Sequence, residues 1–250
     1  MGNVWLTIPS ARPASEIRER LQRWRDMGYK IALWRNGPHR SDTLVGDGDG
    51  TYMYSEEYWG WGASINEIIR VISIRDPQAD WFVGGGDDTE PDPTKRAEEI
   101  AKECTRHFVE YPCPVATFGV MQPTGDRWGA NEPWARAAFP DAPAYIDRIC
   151  GSPWIGREFA RRMNQGAGPF HPGYHHMFAD EELQCVAQRL GVLWQRPDLT
   201  HFHEHPMREG PMETQADWQR EIYSSAHWQE AKTLFESRKA AGFPGSEPIA

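Results

Sequence analysis

The sequence predicts an α/β sandwich with a mostly parallel central sheet. Two observations carry this. Short apolar runs alternate with amphipathic helical stretches from residue 3 to residue 205. The apolar runs also break at Pro, Gly, Asn or Asp, as strands do when they enter loops. The chain has 250 residues, 27 Lys+Arg against 36 Asp+Glu and a formal net charge of −9. That length supports one sizeable core, and that charge argues against a protein that coats nucleic acid non-specifically.

The elements follow in order. Residues 3–9 (NVWLTIP) read as a buried strand that stops at proline. Ile17, Leu21, Trp24 and Met27 share one helix face, and Gly28 suits the helix end. Residues 30–34 (KIALW) form a second strand, broken at Asn36-Gly37-Pro38. Residues 47–51 (DGDGT) read as a loop; its glycine is misplaced for a calcium hand. Ile65, Ile68, Ile69 and Ile72 mark a helix. Residues 80–83 (DWFV) form a strand that runs into Gly84-Gly85-Gly86-Asp87-Asp88. Asp92 reads as an N-cap with Pro93 at the first helical position, and Ala97, Ile100, Ala101, Cys104 and Phe108 as the buried stripe behind it. Residues 114–121 are the next strand. Residues 122–150 read as loops around a site, with Trp128 and Trp134 as stacking candidates. Ile155, Phe159 and Met163 suggest a short helix, and Asp180 caps a clear one that Gly191 stops. Residues 192–194 and 200–205 read as strands, and 215–240 as mostly helical, with Trp218, Ile222, Trp228, Leu234 and Phe235 on the apolar side. No internal repeat or linker divides the chain, so one domain over residues 1–250 is expected, with 215–250 as a C-terminal helical extension and tail.

No apolar run approaches a membrane span, the first residues lack a signal-peptide pattern, and the four cysteines form no C-x-x-C pair. A cytoplasmic protein with reduced thiols is expected, in the host cytoplasm if the chain is viral.

Three constellations carry chemistry. Gly84–Thr89 ends an apolar strand in a glycine run and two adjacent carboxylates. Glycines admit a ligand close to the backbone, and paired carboxylates call for a cation, with hard oxygen ligands suiting Mg²⁺ or Mn²⁺. The competing reading is an ordinary Asp turn. His201, His203 and His205 fall on one face if 200–205 is a strand, a row able to hold a metal; an exposed polar strand is the alternative. Asp180 suits a helix cap, or a general base for a hydroxyl, with the helix dipole lowering its pKa.

The order of these motifs resembles GT-A glycosyltransferases, nearest the family-2-like group that uses nucleotide-sugar donors. The likeness rests on Thr7-Ile-Pro-Ser10, a strand ending at Asn36, a helix holding Asn66, the Gly-Asp-Asp-Thr-Glu-Pro run, Gly151-Ser-Pro-Trp-Ile-Gly-Arg157, Asp180-x-x-Leu183 and a late His. It implies a GT-A-like three-layer α/β/α fold over residues 3–206. It further implies that Asp87 is the last Asp of a DxD-like motif, with Gly85 in place of the first Asp. By the same resemblance Asp180, with Ala179 in place of the usual Glu before it, is the catalytic base, and His203 joins Asp87 on Mn²⁺ or Mg²⁺. Pro9, Ser10 and Arg12 then hold the nucleotide base, with Asn36, Asn66, Gly86 and Asp88 also at the donor. Trp154 and Arg157 fall on the acceptor side.

The expected activity is therefore transfer of a sugar from a nucleotide-diphosphate sugar to an acceptor hydroxyl, in one inverting displacement. Compact enzymes of this kind also occur in bacteriophages. Arg157, Arg161 and Arg162 could form a basic face for DNA, which keeps a hydroxymethylated pyrimidine in phage DNA as an acceptor hypothesis. Two alternatives stay open: a metal-dependent hydrolase built on His201, His203 and His205, and a non-catalytic nucleotide-sugar-binding module.

Overall fold

The computed structural model of the chain describes residues 3–39, 50–110, 115–127, 144–205, 208 and 225–249. Strands β1 (Asn3–Ser10), β2 (Lys30–Arg35), β3 (Thr51–Tyr54) and β4 (Ala79–Gly84) are joined by β6 (Val120–Pro123), β7 (Trp154–Gly156) and β8 (Leu193–Arg196) in one sheet. Its order is β3-β2-β1-β4-β7-β6-β8. All neighbours in this sheet are parallel except at β7, which runs against both β4 and β6. A separate antiparallel pair joins β5 (Thr89–Glu90) to β9 (Phe202–His203).

Alternation along β1 explains the layering. Val4, Leu6 and Ile8 face a core built with Ile17, Leu21 and Trp24 of helix α1 (Ala14–Asp26) and with Ile100, Cys104 and Phe108 of α3 (Ala97–Glu110). Trp5 faces the opposite core, with the isoleucines of α2 (Trp61–Arg75), Phe159 of α4 (Arg157–Arg162) and Leu183 of α5 (Ala179–Arg189). Helix α6 (Ser225–Ala240) packs Leu234 and Phe235 onto this second core. The result is the three-layer sandwich expected. Among the described residues no helix is long and apolar enough to cross a membrane.

Several boundaries differ from the sequence reading. β3 was not anticipated. The strand expected over 114–121 starts at Val120. The short helix expected at 155–163 is a strand followed by α4. Asp92 caps no helix: its Oδ1 accepts from the Thr94 and Lys95 amides at 2.8 and 3.1 Å, and its Oδ2 from the Thr200 amide at 2.8 Å. It pins a turn against the chain before β9, and α3 begins five residues later. Asp180 lies inside the first turn of α5, which follows Phe178 in a left-handed conformation. Residues 47–49, Cys113, Trp128, Trp134, Trp218 and Ile222 lie outside the described residues.

The C-terminal segment is tied to α5 by a buried ion pair. Arg238 of α6 donates from Nε and Nη2 to the two oxygens of Glu182 at 2.8 and 2.7 Å, and the Tyr174 hydroxyl donates at 2.8 Å. Burial pushes the Glu182 carboxyl up, but these donors outweigh it and hold it below its usual range. Arg238→Met leaves a carboxylate buried without its cation and is expected to lower stability by about 3–5 kcal/mol in urea unfolding. The pair's contribution is present above the ordinary glutamate pKa and fades as pH falls through the lowered one. A parental midpoint in the variant would contradict this role.

Candidate active site at the strand ends

The carboxyl ends of the parallel neighbours β2, β1 and β4 lie side by side at one end of the sheet, the end at which open α/β sheets bind ligands in a crevice. β1 delivers Ser10 and, just beyond it, Arg12. β4 delivers Gly84 and the loop to β5. Ser10 Oγ donates to Asp87 Oδ2 at 2.6 Å, and Arg12 Nε donates to Asp87 Oδ1 at 3.0 Å. Asp87 therefore fastens the loop after β1 to the loop after β4. Burial raises its pKa, Arg12 opposes this, and neighbouring Asp88 adds to it.

Asp88 turns the other way. Its Oδ2 lies 3.2 Å from His203 Nε2, and its backbone carbonyl accepts from the Glu204 amide at 2.8 Å. Burial acts to raise Asp88, yet His203 overrides it and brings its pKa down to about 2. His203 is raised in turn: burial lowers it, and Asp88 more than compensates. Gly86 makes this divergence possible, because a Cβ there would lie 2.3 Å from Asp88 Oδ1. The pairing of β5 with β9 sets Thr89 opposite His203 and so fixes the contact in register.

Two further residues hold His203. Asp126 Oδ2 accepts its amide at 2.9 Å, and Arg208 Nε donates to its carbonyl at 2.5 Å; Arg208 also pairs with Asp126. Asp180 enters from the first turn of α5, within electrostatic reach of His203. The helix dipole was expected to lower its pKa. Burial wins instead and raises it, although the Glu181 amide donates to its Oδ1 at 3.1 Å. Burial together with Asp180 lifts Glu181 to about 7.

Trp61, at the start of α2, ties the loop after β4 to the segment around His175. Its indole N–H donates to the Gly85 carbonyl at 2.9 Å, and its backbone N–H to the His175 carbonyl at 2.9 Å. Gly60 lets the two segments meet: its φ is +96°, and a Cβ there would lie 2.2 Å from the His175 carbonyl oxygen. His176 follows, 2.8 Å from the Tyr58 hydroxyl, with its pKa lowered to about 4 by burial and His175.

No family model and no curated protein matches this chain. Among solved structures it is similar to the catalytic domain of Drosophila β1,4-galactosyltransferase 7, solved in complex with xylobiose. Identity is 14%, 89% of this chain and 79% of that one are covered, and the TM-score is 0.50. The chain has a GT-A-like fold. A glycosyltransferase involved in glycosylation of the major capsid of PBCV-1 aligns at 12% identity over 90% of this chain and 76% of that one, with a TM-score of 0.32.

Within this GT-A-like frame, several expected site residues have other work. Asn66 is buried in α2, donating to the Phe170 carbonyl at 2.7 Å and accepting its amide at 3.1 Å; it holds that segment and not a ligand. Trp154 is fully buried in the sheet, so it has no face for an acceptor. Arg157 sits at the opposite end of β4, bonded to the carbonyls of Asp76, at 2.7 Å, and Ala79. Arg161 and Arg162 both pair with Glu158, which consumes the expected basic face. Pro9 and Asn36 do lie at the strand ends, and the Asn36 amide donates to the Ser10 carbonyl at 3.1 Å.

The three histidines do not act together. His201 is buried against Trp24, with Nδ1 2.7 Å from Ser152 Oγ, and burial drives its pKa to about 4. His205 packs edge-on against His203, with burial and His203 lowering its pKa to about 3. Among the described residues no three His, Cys, Asp or Glu side chains converge on one point. The hydrolase reading loses its geometric basis. A two-residue set remains. Asp88 Oδ2 and His203 Nε2 stand 3.2 Å apart, close to the roughly 3 Å between adjacent ligands of an octahedral ion with bonds near 2.1 Å. A carboxylate oxygen suits Mn²⁺ or Mg²⁺ and an imidazole suits transition ions, so the pair would offer two ligands to a divalent cation once His203 gives up its proton, with the other positions left to ligand oxygens and water.

The sequence reading passed over Trp61, His176, Asp126 and Arg208. The Trp59-Gly60-Trp61-Gly62 run was a readable signal for a close approach of two segments. Nothing local marks Asp126 or Arg208, whose partner is His203, distant in sequence from Asp126.

Proposed function

We propose that the chain is a metal-dependent glycosyltransferase that moves a sugar from a nucleotide-diphosphate sugar to an acceptor hydroxyl with inversion. The observation that carries this reading is the divergence of two adjacent carboxylates at the end of β4, Asp87 toward Ser10 and Arg12 and Asp88 toward His203. Asp180, on the first turn of α5, lies within electrostatic reach of His203. We take residues 1–250 as one domain, with 215–250 as its C-terminal extension, and the Asp87-Asp88 and Asp180-x-x-Leu183 motifs support a reading nearest the family-2-like group.

In this reading the nucleotide base lies against Pro9–Arg12, beside Asn36. Arg12 offers its guanidinium, neutralised on one side by Asp87, to the donor. Asp88 and His203 would hold Mn²⁺ or Mg²⁺, which when bound neutralises charge on the departing diphosphate. Asp180 accepts the proton of the acceptor hydroxyl as its oxygen bonds to the anomeric carbon and the bond to the diphosphate oxygen breaks. A carboxylate with a raised pKa is the better base for this step. Arg157, Arg161 and Arg162, which had supported a hydroxymethylated pyrimidine in DNA as acceptor, give that acceptor no support from the positions they occupy.

A thermal-shift screen of nucleotide-diphosphate sugars with and without Mn²⁺ tests the reading. One donor is expected to stabilise the protein by about 2.7 kcal/mol at a hundred times its Kd, and to need Mn²⁺ to do so. No shift with any donor would remove the reading.

A further inference from the structure

A cleft of about 500 Å³ lies between the segment around His175 and helix α6. That volume falls within the roughly 300–1,000 Å³ of small-molecule sites. Two links run from it to the Gly85–Asp88 loop. His176, which lines the cleft, lies within electrostatic reach of Asp88. His175, its neighbour, receives the Trp61 amide, and the Trp61 indole bonds Gly85. A molecule in the cleft would therefore contact His175 and His176, which are themselves linked to the Gly85–Asp88 loop.

The lining defines the ligand. Tyr58, Met177 and Leu234 supply apolar surface. His176 and His227 supply groups that both donate and accept, and Glu230 supplies a carboxylate. The described lining holds no Lys or Arg. The cations nearest in sequence are engaged elsewhere: Lys232 lies over Trp228 and near Glu236, and Arg238 is spent on Glu182. A phosphate-rich chain would meet Glu230 with no fixed positive charge among the described lining residues to offset it. A sugar fits both halves of the surface: its C–H face packs on apolar and ring atoms, and its hydroxyls donate to a carboxylate and exchange bonds with imidazoles.

We propose that this cleft is the acceptor subsite and that it takes a neutral saccharide of two or three rings, not a nucleic acid. The proposal rests on the glycosyltransferase reading for the word acceptor, but the binding itself does not depend on turnover.

Saturation-transfer NMR on the full chain tests it with cellotriose, xylotriose, chitotriose and maltotriose, and with a twelve-nucleotide single strand and its duplex. Ala231→Trp, a substitution on α6 that fills the cleft, is run in parallel. UDP, GDP and dTDP with Mn²⁺ are titrated into the same samples. At least one trisaccharide is expected to bind, with transfer lost in Ala231→Trp and reduced about tenfold in affinity by Glu230→Gln, while nucleoside diphosphate binding is unchanged in both. Absence of binding by every trisaccharide, saccharide binding that survives Ala231→Trp, or DNA binding that Ala231→Trp abolishes would each overturn the proposal. If nucleotides still bind in that event, the cleft assignment alone falls. If saccharides bind as expected and no nucleotide does, the donor reading falls and the cleft stands as a saccharide site.

Discussion

Asp180→Asn is expected to keep the parental melting temperature and nucleotide binding while transfer to the acceptor falls by about 10²–10⁴-fold. Asparagine retains an oxygen to accept the Glu181 amide, now at 3.1 Å from Asp180 Oδ1, so the first turn of α5 keeps its local bond. What is lost is the carboxylate that takes a proton. Glu181→Gln is expected to be much milder, because the Asp180 base remains. The pH profile gives an independent check. Transfer needs ionised Asp180, so the rate declines as pH falls through its pKa, and burial sets that acid limb above the ordinary aspartate range. Near-normal transfer by Asp180→Asn together with a dead Glu181→Gln would move the base one residue along. Activity in both would leave Asp180 as a structural residue of the helix start.

Asp88→Asn and His203→Ala are each expected to abolish the Mn²⁺ dependence of nucleotide-diphosphate binding. Asp87→Asn is expected to do something different. Asp87 is bonded to Ser10 and Arg12, so its loss loosens the loop after β1 and weakens nucleotide binding with and without metal. The sequence resemblance assigned the cation to Asp87, whereas the geometry brings Asp88 to His203. The contrast between variants decides between them: Mn²⁺ dependence that survives Asp88→Asn and vanishes in Asp87→Asn would restore the assignment to Asp87.

The layers were readable because local signals and global fold agree there. The alternation of Val4, Leu6 and Ile8 against Trp5, and the stripes of α1, α2 and α3, each state which face is buried. The parts that escaped depend on distant partners. Asp92 looks like a cap because Asx residues bond nearby amides in either role; what decides is the Thr200 amide, far along the chain. The histidine row looked like one face, but β9 contains only Phe202 and His203, so His201 falls before the strand and turns into the core. Trp154 is an aromatic in a glycine-bounded segment, which suits a sugar platform as well as a sheet interior. Its place in β7, between β4 and β6, buries it. Arg157 follows the same strand and emerges at the end of the sheet away from the crevice.

The central claim is that a nucleotide-diphosphate sugar and a divalent cation meet at the Asp88–His203 pair. Anomalous scattering from Mn²⁺ in crystals soaked with the best nucleoside diphosphate locates that cation directly. The account predicts one peak about 2.2 Å from both Asp88 Oδ2 and His203 Nε2, in contact with diphosphate oxygens, with the base against Pro9–Arg12. A peak elsewhere on the protein, or a base bound away from the β1 loop, would contradict it.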